Sequence, residues 1–176
     1  ALERYDFWGK LSFDALLYLP IIIPEIAMAV MLLLFFILTH VQLGLGTVIL
    51  AHVAFCVSYV AVVVRARVAG LDRTLEEAAQ DLYSSPWTAF RKVTWKLSMP
   101  GVVAGTLLTF IPAAGDYINA ELLGTTKIRM IGNVIQDQFF VITDYPTASA
   151  LSVMLMLVIL VMVTIYVRKA GTEELV

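Results

Sequence analysis

Two carboxylates stand where carboxylates are costly. Glu25 follows Pro20 and Pro24 inside an apolar run, and Asp116 leads Tyr117, Asn119 and Glu121 at the end of another. Ionisable groups at membrane depth are rare, face a bundle interior or a wet path, and mark sites of binding or relay. These five residues are therefore the candidates to line a polar path. The competing role for Glu25 and Asp116 is interhelical hydrogen bonding, or capping where a helix breaks. Hydrolysis inside the membrane would need a second Asp beside Asp116, or an H-E-x-x-H helix, and the sequence has neither. His52 and Cys56 lie one helical turn apart, but two mixed ligands with no third make a weak metal site, so packing is the expected role of both. No metal and no cofactor is expected. Asp137 and Asp144 are read as shaping an outer loop or meeting a partner there, and His40 as solvated.

The elements that must hold these residues are spanning helices. Of the 176 residues, 60% are hydrophobic, mean hydropathy is +0.87, and ordinary soluble domains are about 45–50% apolar. Four apolar runs cover residues 13–38, 47–64, 99–122 and 148–167, each near the roughly 20 residues a bilayer core requires. They are continuous rather than alternating, which excludes a barrel, and lipid leaves helices as the remaining spanning form. The fold class is thus an all-α polytopic membrane bundle. Counted from Pro100, Asp116 lies about 24 Å along the third span, in its outer third. Gly101 and Gly105 form a G-x-x-x-G expected to bring helices close. Met154, Met156 and Met162 read as lipid-facing or core filler. With no basic stripe interleaved with aromatics, nucleic acid is not an expected partner. A single cysteine permits no disulfide within the chain.

Ten of the 12 Lys and Arg residues fall on one side if residues 65–98 are cytoplasmic: Arg4, Lys10, Arg65, Arg67, Arg73, Arg91, Lys92, Lys96, Arg168 and Lys169. Lys127 and Arg129 then lie outside, in a loop over residues 119–147. The positive-inside rule therefore puts both ends and the 65–98 insert in the cytoplasm.

That insert is amphipathic. Leu75, Ala78, Ala79 and Leu82 share one helical face, and Thr74 with Glu77 has the spacing of a capping box. Ser85 and Pro86 form a second start, with Pro at the first helical position. Trp87, Phe90, Thr94 and Leu97 continue at helical spacing. Two short helices joined by a tight turn are expected, and neither is stable alone. An interfacial helix on lipid is one destination. The small, Ala-rich face and the acids Glu76, Glu77 and Asp81 suit a protein groove better than an anionic leaflet.

The string "EEAAQDL…SPWTAFRKVT" resembles the EAA loop of permease subunits of binding-protein-dependent ABC importers. "LPIIIPEIAMAVMLLLFF", "AHVAFCVSYVAVVVRARVAGLD", "IPAAGDYINAELLG" and "IGNVIQDQFFVITDYPTASALSV" extend the likeness to the spermidine/putrescine type. The resemblance implies an inner-membrane permease, not itself an enzyme. Its partners would be a cytoplasmic ATP-binding subunit, a second permease subunit and an extracytoplasmic solute-binding protein. The missing phosphate loop G-x-x-x-x-G-K-[ST] agrees, since ATP chemistry is then expected on a partner. Glu77, Ala78, Ala79, Asp81, Leu82, Tyr83, Phe90 and Arg91 would dock on the ATPase. Glu25, Asp116, Tyr117, Asn119 and Glu121 would line the path of a polyamine, with Tyr117, Tyr59 and Phe110 as cation–π faces worth about 0.5–2 kcal/mol each. A permease for another solute, a non-transporting assembly subunit and an intramembrane enzyme are the alternatives. Further spans precede the matching region in the family, so this chain would be part of a six-span subunit. It departs from the family pattern at Tyr83, where Gly is usual, and at Lys96, where Pro is usual. A Tyr with positive φ at the turn would cost roughly 1–2 kcal/mol, and Lys96 would let the second helix continue.

Overall fold

Long apolar runs give long helices, and the described residues, 6–170 of a computed structural model, contain helices and no strand. Arg4 lies outside the described residues, as does the Lys169 side chain. The order is α1 Lys10–Ile22, α2 Glu25–Leu38, α3 Leu45–Ala69, α4 Thr74–Asp81, α5 Pro86–Ala89, a π-helical stretch Phe90–Thr94, α6 Trp95–Gly115, α7 Ile118–Leu123, α8 Ile131–Gln136, a second π-helical stretch Asp137–Val141, and α9 Tyr145–Ala170.

Three helical stretches are long and apolar enough to cross a bilayer: Leu45–Ala69, Pro86–Gly115 and Tyr145–Arg168. The expected first span is not one rod. Its two halves meet at 113°, and at 13 and 14 residues each is about 20 Å long, short of a bilayer core of about 30 Å. Pro20 is carried inside α1, and the chain breaks instead after Ile22, with Ile23 (ψ 131°) and Pro24 (ψ 136°) extended before α2. The third span also ends earlier than expected. It stops at Gly115, Asp116 is extended, and α7 starts afresh at Ile118.

The centre of the bundle is α3 against α6. Glycine sets their approach: a Cβ on Gly105 would stand 3.2 Å from Val60 Cα, and one on Gly101 2.7 Å from Arg67 Cβ, so the G-x-x-x-G does bring helices close. α1 also packs on α3, and Arg65 reaches Asp14 at 2.5 Å across that contact. Phe36, Val48, Ala51 and Leu123 form a buried cluster joining α2, α3 and α7. Thr47 Oγ1 donates to the Leu123 carbonyl at 2.7 Å, fastening the start of α3 to the end of α7. α9 runs along α6 and α8 and leaves Met154, Met156 and Met162 exposed.

The insert keeps its first helix and corrects two details. α4 is started by Asp72, whose Oδ1 accepts the Thr74 amide at 2.9 Å, rather than by a Thr74 capping box. Ser85 does cap α5, accepting the Thr88 amide at 3.3 Å, with Pro86 first. The second short helix is not separate. It passes through the π-helical stretch and Lys96 into α6, so Pro86–Gly115 is one 30-residue helical run. The turn before it closes with Tyr83 N–H donating to Gln80 O and Ser84 N–H to Ala79 O. This is the left-handed cap usually given to Gly. Tyr83 sits there at φ 60° with its side chain fully exposed.

Candidate functional site

Two helix breaks face each other. A helix that stops inside a membrane leaves backbone amides without partners, and each must be satisfied locally. At the α6–α7 break Asp116 does this: its Oδ1 accepts the amides of Ile118 at 2.8 Å and Asn119 at 3.3 Å. At the α1–α2 break Glu25 occupies the first position of α2, where a carboxylate is favoured by the helix dipole.

The amide of Asn119 joins the two breaks. Its Nδ2 donates to Asp116 Oδ2 at 2.8 Å and to Glu25 Oε1 at 3.3 Å. Asn119 and Asp116 are buried and Glu25 is half-buried. Asn119 Oδ1 is buried without a hydrogen-bond donor. A fourth group enters from α3. His52 Nε2 stands 3.1 Å from Asp116 Oδ2 but off the line of a hydrogen bond, while Nδ1 donates to the Val48 carbonyl at 2.9 Å. His52 is the eighth residue of α3, about 10 Å from its start. The cluster therefore lies inside the span.

Three of the five path candidates thus meet: Glu25, Asp116 and Asn119. The other two belong to a neighbouring set. Asn133 of α8 donates Nδ2 to the Tyr117 carbonyl at 3.0 Å and to Glu121 Oε2 at 3.1 Å. Arg129 pairs there with Asp137, and these groups border an open cleft of about 440 Å³ with Thr125 and Thr126. Tyr117 joins through its backbone, and the described bonds do not bring its ring to the carboxylates. Phe110 faces away, into a gap it shares with Met162 and Tyr166 of α9. Tyr59 packs on Phe55, ring centroids 4.7 Å apart.

Sequence reasoning missed His52 as a member of this cluster. Its signal was present, an imidazole in a 25-residue apolar helix, yet its pairing with Cys56 drew attention to the wrong neighbour. The ring turns to Asp116, and among the described residues no three His, Cys, Asp or Glu side chains gather as a metal site.

At the other end of the molecule, the elbow exposes Glu77, Ala78, Asp81, Leu82, Tyr83, Phe90 and Arg91, with Ala79 half-buried. Leu82, Tyr83 and Trp87 are exposed there, and Trp87 stacks on Phe90 at 5.5 Å. Glu76 turns inward instead, accepting from Thr94 Oγ1, which ties α4 to the base of the long α5–α6 run. Outside the spans, the Thr74 amide holds the Asp72 carboxyl below its ordinary value. The Thr147 hydroxyl and amide do the same for Asp144.

The profile of a family described as binding-protein-dependent transport system inner membrane component matches residues 1–169. The spermidine/putrescine transport system permease protein PotC of Haemophilus influenzae is 37% identical over 74% of this chain and 51% of its own length. PotC of Escherichia coli is 34% identical over 93% of this chain and 61% of its own length. The putrescine transport system permease protein PotI of Escherichia coli is 36% identical over 71% of this chain and 48% of its own length. The chain therefore spans about half to three-fifths of these relatives.

Proposed function

The chain belongs to the family of binding-protein-dependent transport system inner membrane components, and from that premise we propose that it forms part of the path of an ATP-driven importer for a polyamine. It is a multi-pass inner-membrane protein. Its partners in this reading are a cytoplasmic ATP-binding subunit, a second permease subunit and an extracytoplasmic solute-binding protein. Residues 65–98 and both ends face the cytoplasm, following the distribution of Lys and Arg.

The observation that carries the reading is the convergence of the two breaks on Glu25, Asp116 and Asn119. Paired carboxylates inside a span suit the ammonium groups of an extended polycation. The names of the relatives, spermidine/putrescine and putrescine permeases, support the same class of solute.

The geometry also suggests how work reaches the site. The elbow residues Glu77, Ala78, Ala79, Asp81, Leu82, Tyr83, Phe90 and Arg91 engage the ATPase. The Glu76–Thr94 bond ties α4 to the helix that runs unbroken from Pro86 to Gly115. That helix, 30 residues long, spans about 45 Å and ends beside Asp116. Motion of the elbow then displaces the acidic cluster as a rigid body, the shear-and-hinge form of alternating access.

The test is ATPase activity of the reconstituted complex, with its binding protein, against a panel of polyamines. Spermidine or putrescine should stimulate hydrolysis. Glu77→Lys should insert and assemble yet lose stimulation, and unchanged stimulation in that variant would remove the elbow from the coupling role.

A further inference from the structure

His52 is half-buried in the cluster, its Nε2 buried, but has no part in the path described so far. Its ring lies against acceptors on both sides: the Val48 carbonyl 2.9 Å from Nδ1 and Asp116 Oδ2 3.1 Å from Nε2. A neutral imidazole carries one N–H and so suits one acceptor, whereas an imidazolium donates from both nitrogens. The charged side chains facing it are Asp116, from the end of α6, and, one hydrogen bond further, Glu25 of α2. Asn119 of α7 bridges the two carboxylates through its amide. Two carboxylates bridged by one side-chain amide, with no cationic partner but His52 at ion-pair distance among the described residues, favour a positive charge nearby, and His52 is the group placed to supply it.

The pairing is loose. Nε2 is within ion-pair distance of Asp116, 3.1 Å, yet out of line for a hydrogen bond, and Nδ1 is anchored on its own helix. Meanwhile Asn119 Oδ1 is a buried acceptor with no donor. A primary ammonium carries three donors in a tetrahedral fan. Those three donors match in number the acceptors of the set, Asp116 Oδ2, Glu25 Oε1 and Asn119 Oδ1, of which the first stands at ion-pair distance from His52.

We infer that His52 is a resident counter-cation. It neutralises the carboxylates while no solute is bound, and an ammonium group of the solute displaces it from Asp116. The inference rests on the transport reading and assigns His52 a role in setting affinity and release. Without His52 the negative cluster would hold a polycation tightly at every stage. With it, the solute binds by exchange, and the returning imidazolium assists departure.

The readout is the split between half-saturating solute and maximal rate. A resident that fills the site about nine-tenths of the time weakens apparent affinity about tenfold. His52→Gln keeps a donor but removes the charge. In the reconstituted complex, the spermidine concentration giving half-maximal ATPase stimulation should fall about tenfold, about 1.4 kcal/mol, and maximal turnover should fall with it. His52→Asn, shorter and also neutral, should show the same split, so the test survives if one variant does not assemble. His52→Lys, a tethered ammonium with longer reach, should raise the half-saturating concentration or abolish stimulation in a complex that still elutes intact. Half-saturation that is unchanged or raised in the neutral variants overturns the inference, because a merely structural histidine weakens binding when lost. A wild-type complex that no polyamine stimulates overturns the transport reading and this inference with it.

Discussion

Asn119 is the residue on which the cluster depends most, and Asn119→Ala isolates its contribution. The wild-type amide gives one proton to Asp116 at 2.8 Å and one to Glu25 at 3.3 Å. Hydrogen bonds to charged groups contribute about 1.5–3 kcal/mol each in folded proteins, while measured interhelical bonds in membranes average about 0.6 and reach about 1.7. Taking the short bond near 1.7 and the long one near 1 gives a loss of about 2.5–3 kcal/mol. Deleting the donorless Oδ1 returns up to about 1. The net expectation is about 2 kcal/mol, a lowering of the melting temperature by about 4–8 °C for a chain of this size. Melting of the purified complex in lipid nanodiscs reads it directly. The same substitution in a Glu25→Ala background should cost about 1 kcal/mol less, since one bonded partner is already gone. A melting temperature unchanged by Asn119→Ala, or an equal cost in both backgrounds, would refute the bridging role.

The remaining predictions concern single contacts. Asp116→Asn should keep the amides of Ile118 and Asn119 capped while abolishing solute stimulation, whereas Asp116→Ala should also lower the melting temperature. A variant pair with equal stability would remove the capping role. Tyr83→Gly relieves a left-handed residue worth about 1–2 kcal/mol, less about 0.4–1 of added freedom in the unfolded chain. Because its side chain is fully exposed, the variant should melt slightly higher than wild type. Gly132→Ala would set a Cβ 2.4 Å from the Gly115 carbonyl oxygen and 3.0 Å from that of Asp116. Backbone cannot yield cheaply there, so a cost of about 1–3 kcal/mol is expected, together with weakened solute stimulation. Asp144 is held below its ordinary value of 3.8 by Thr147. Its contribution to the start of α9 is present above that pH and lost as pH falls through the lowered folded value. Amide exchange at Thr147, corrected for its intrinsic pH dependence, should show protection falling over that acid window, and Asp144→Asn should remove the pH-dependent component.

The sequence made legible whatever depends on neighbours along the chain. The apolar runs located α3, α6 and α9, and Ser85 with Pro86 located a helix start, because each signal acts within a turn or two. The break between α1 and α2 was legible as a break but not as a 113° bend. Pro20 and Pro24 both disfavour helix, yet Pro20 is accommodated within α1 and the chain turns at Pro24. The capping choice at α4 fell to Asp72 over Thr74 because an Asp two residues back can reach the same amide. His52 and Asp116 are 64 positions apart, and their meeting depends on the register in which α3 packs against α6. Gly101 and Gly105 fix that register through close contact with Arg67 and Val60; the G-x-x-x-G announces a close approach, but not which residues of which helix it meets.

The cluster's design lies in the separate employment of Asp116's two oxygens. Oδ1 serves the fold, closing the amides that α7 exposes when the helix restarts. Oδ2 serves the site, taking Asn119 Nδ2 and facing His52. A carboxylate is the side chain that can do both with full charge, since an amide has one acceptor oxygen and a hydroxyl is neutral. Whatever cation approaches Oδ2 therefore pulls on a group rigidly bound to the first turn of α7. α7 in turn is fastened through Leu123 to the start of α3 by Thr47 and Gly44. Charge at the site and the placement of two helices are thus one mechanical unit, and the broken helices that cost backbone hydrogen bonds make that coupling possible.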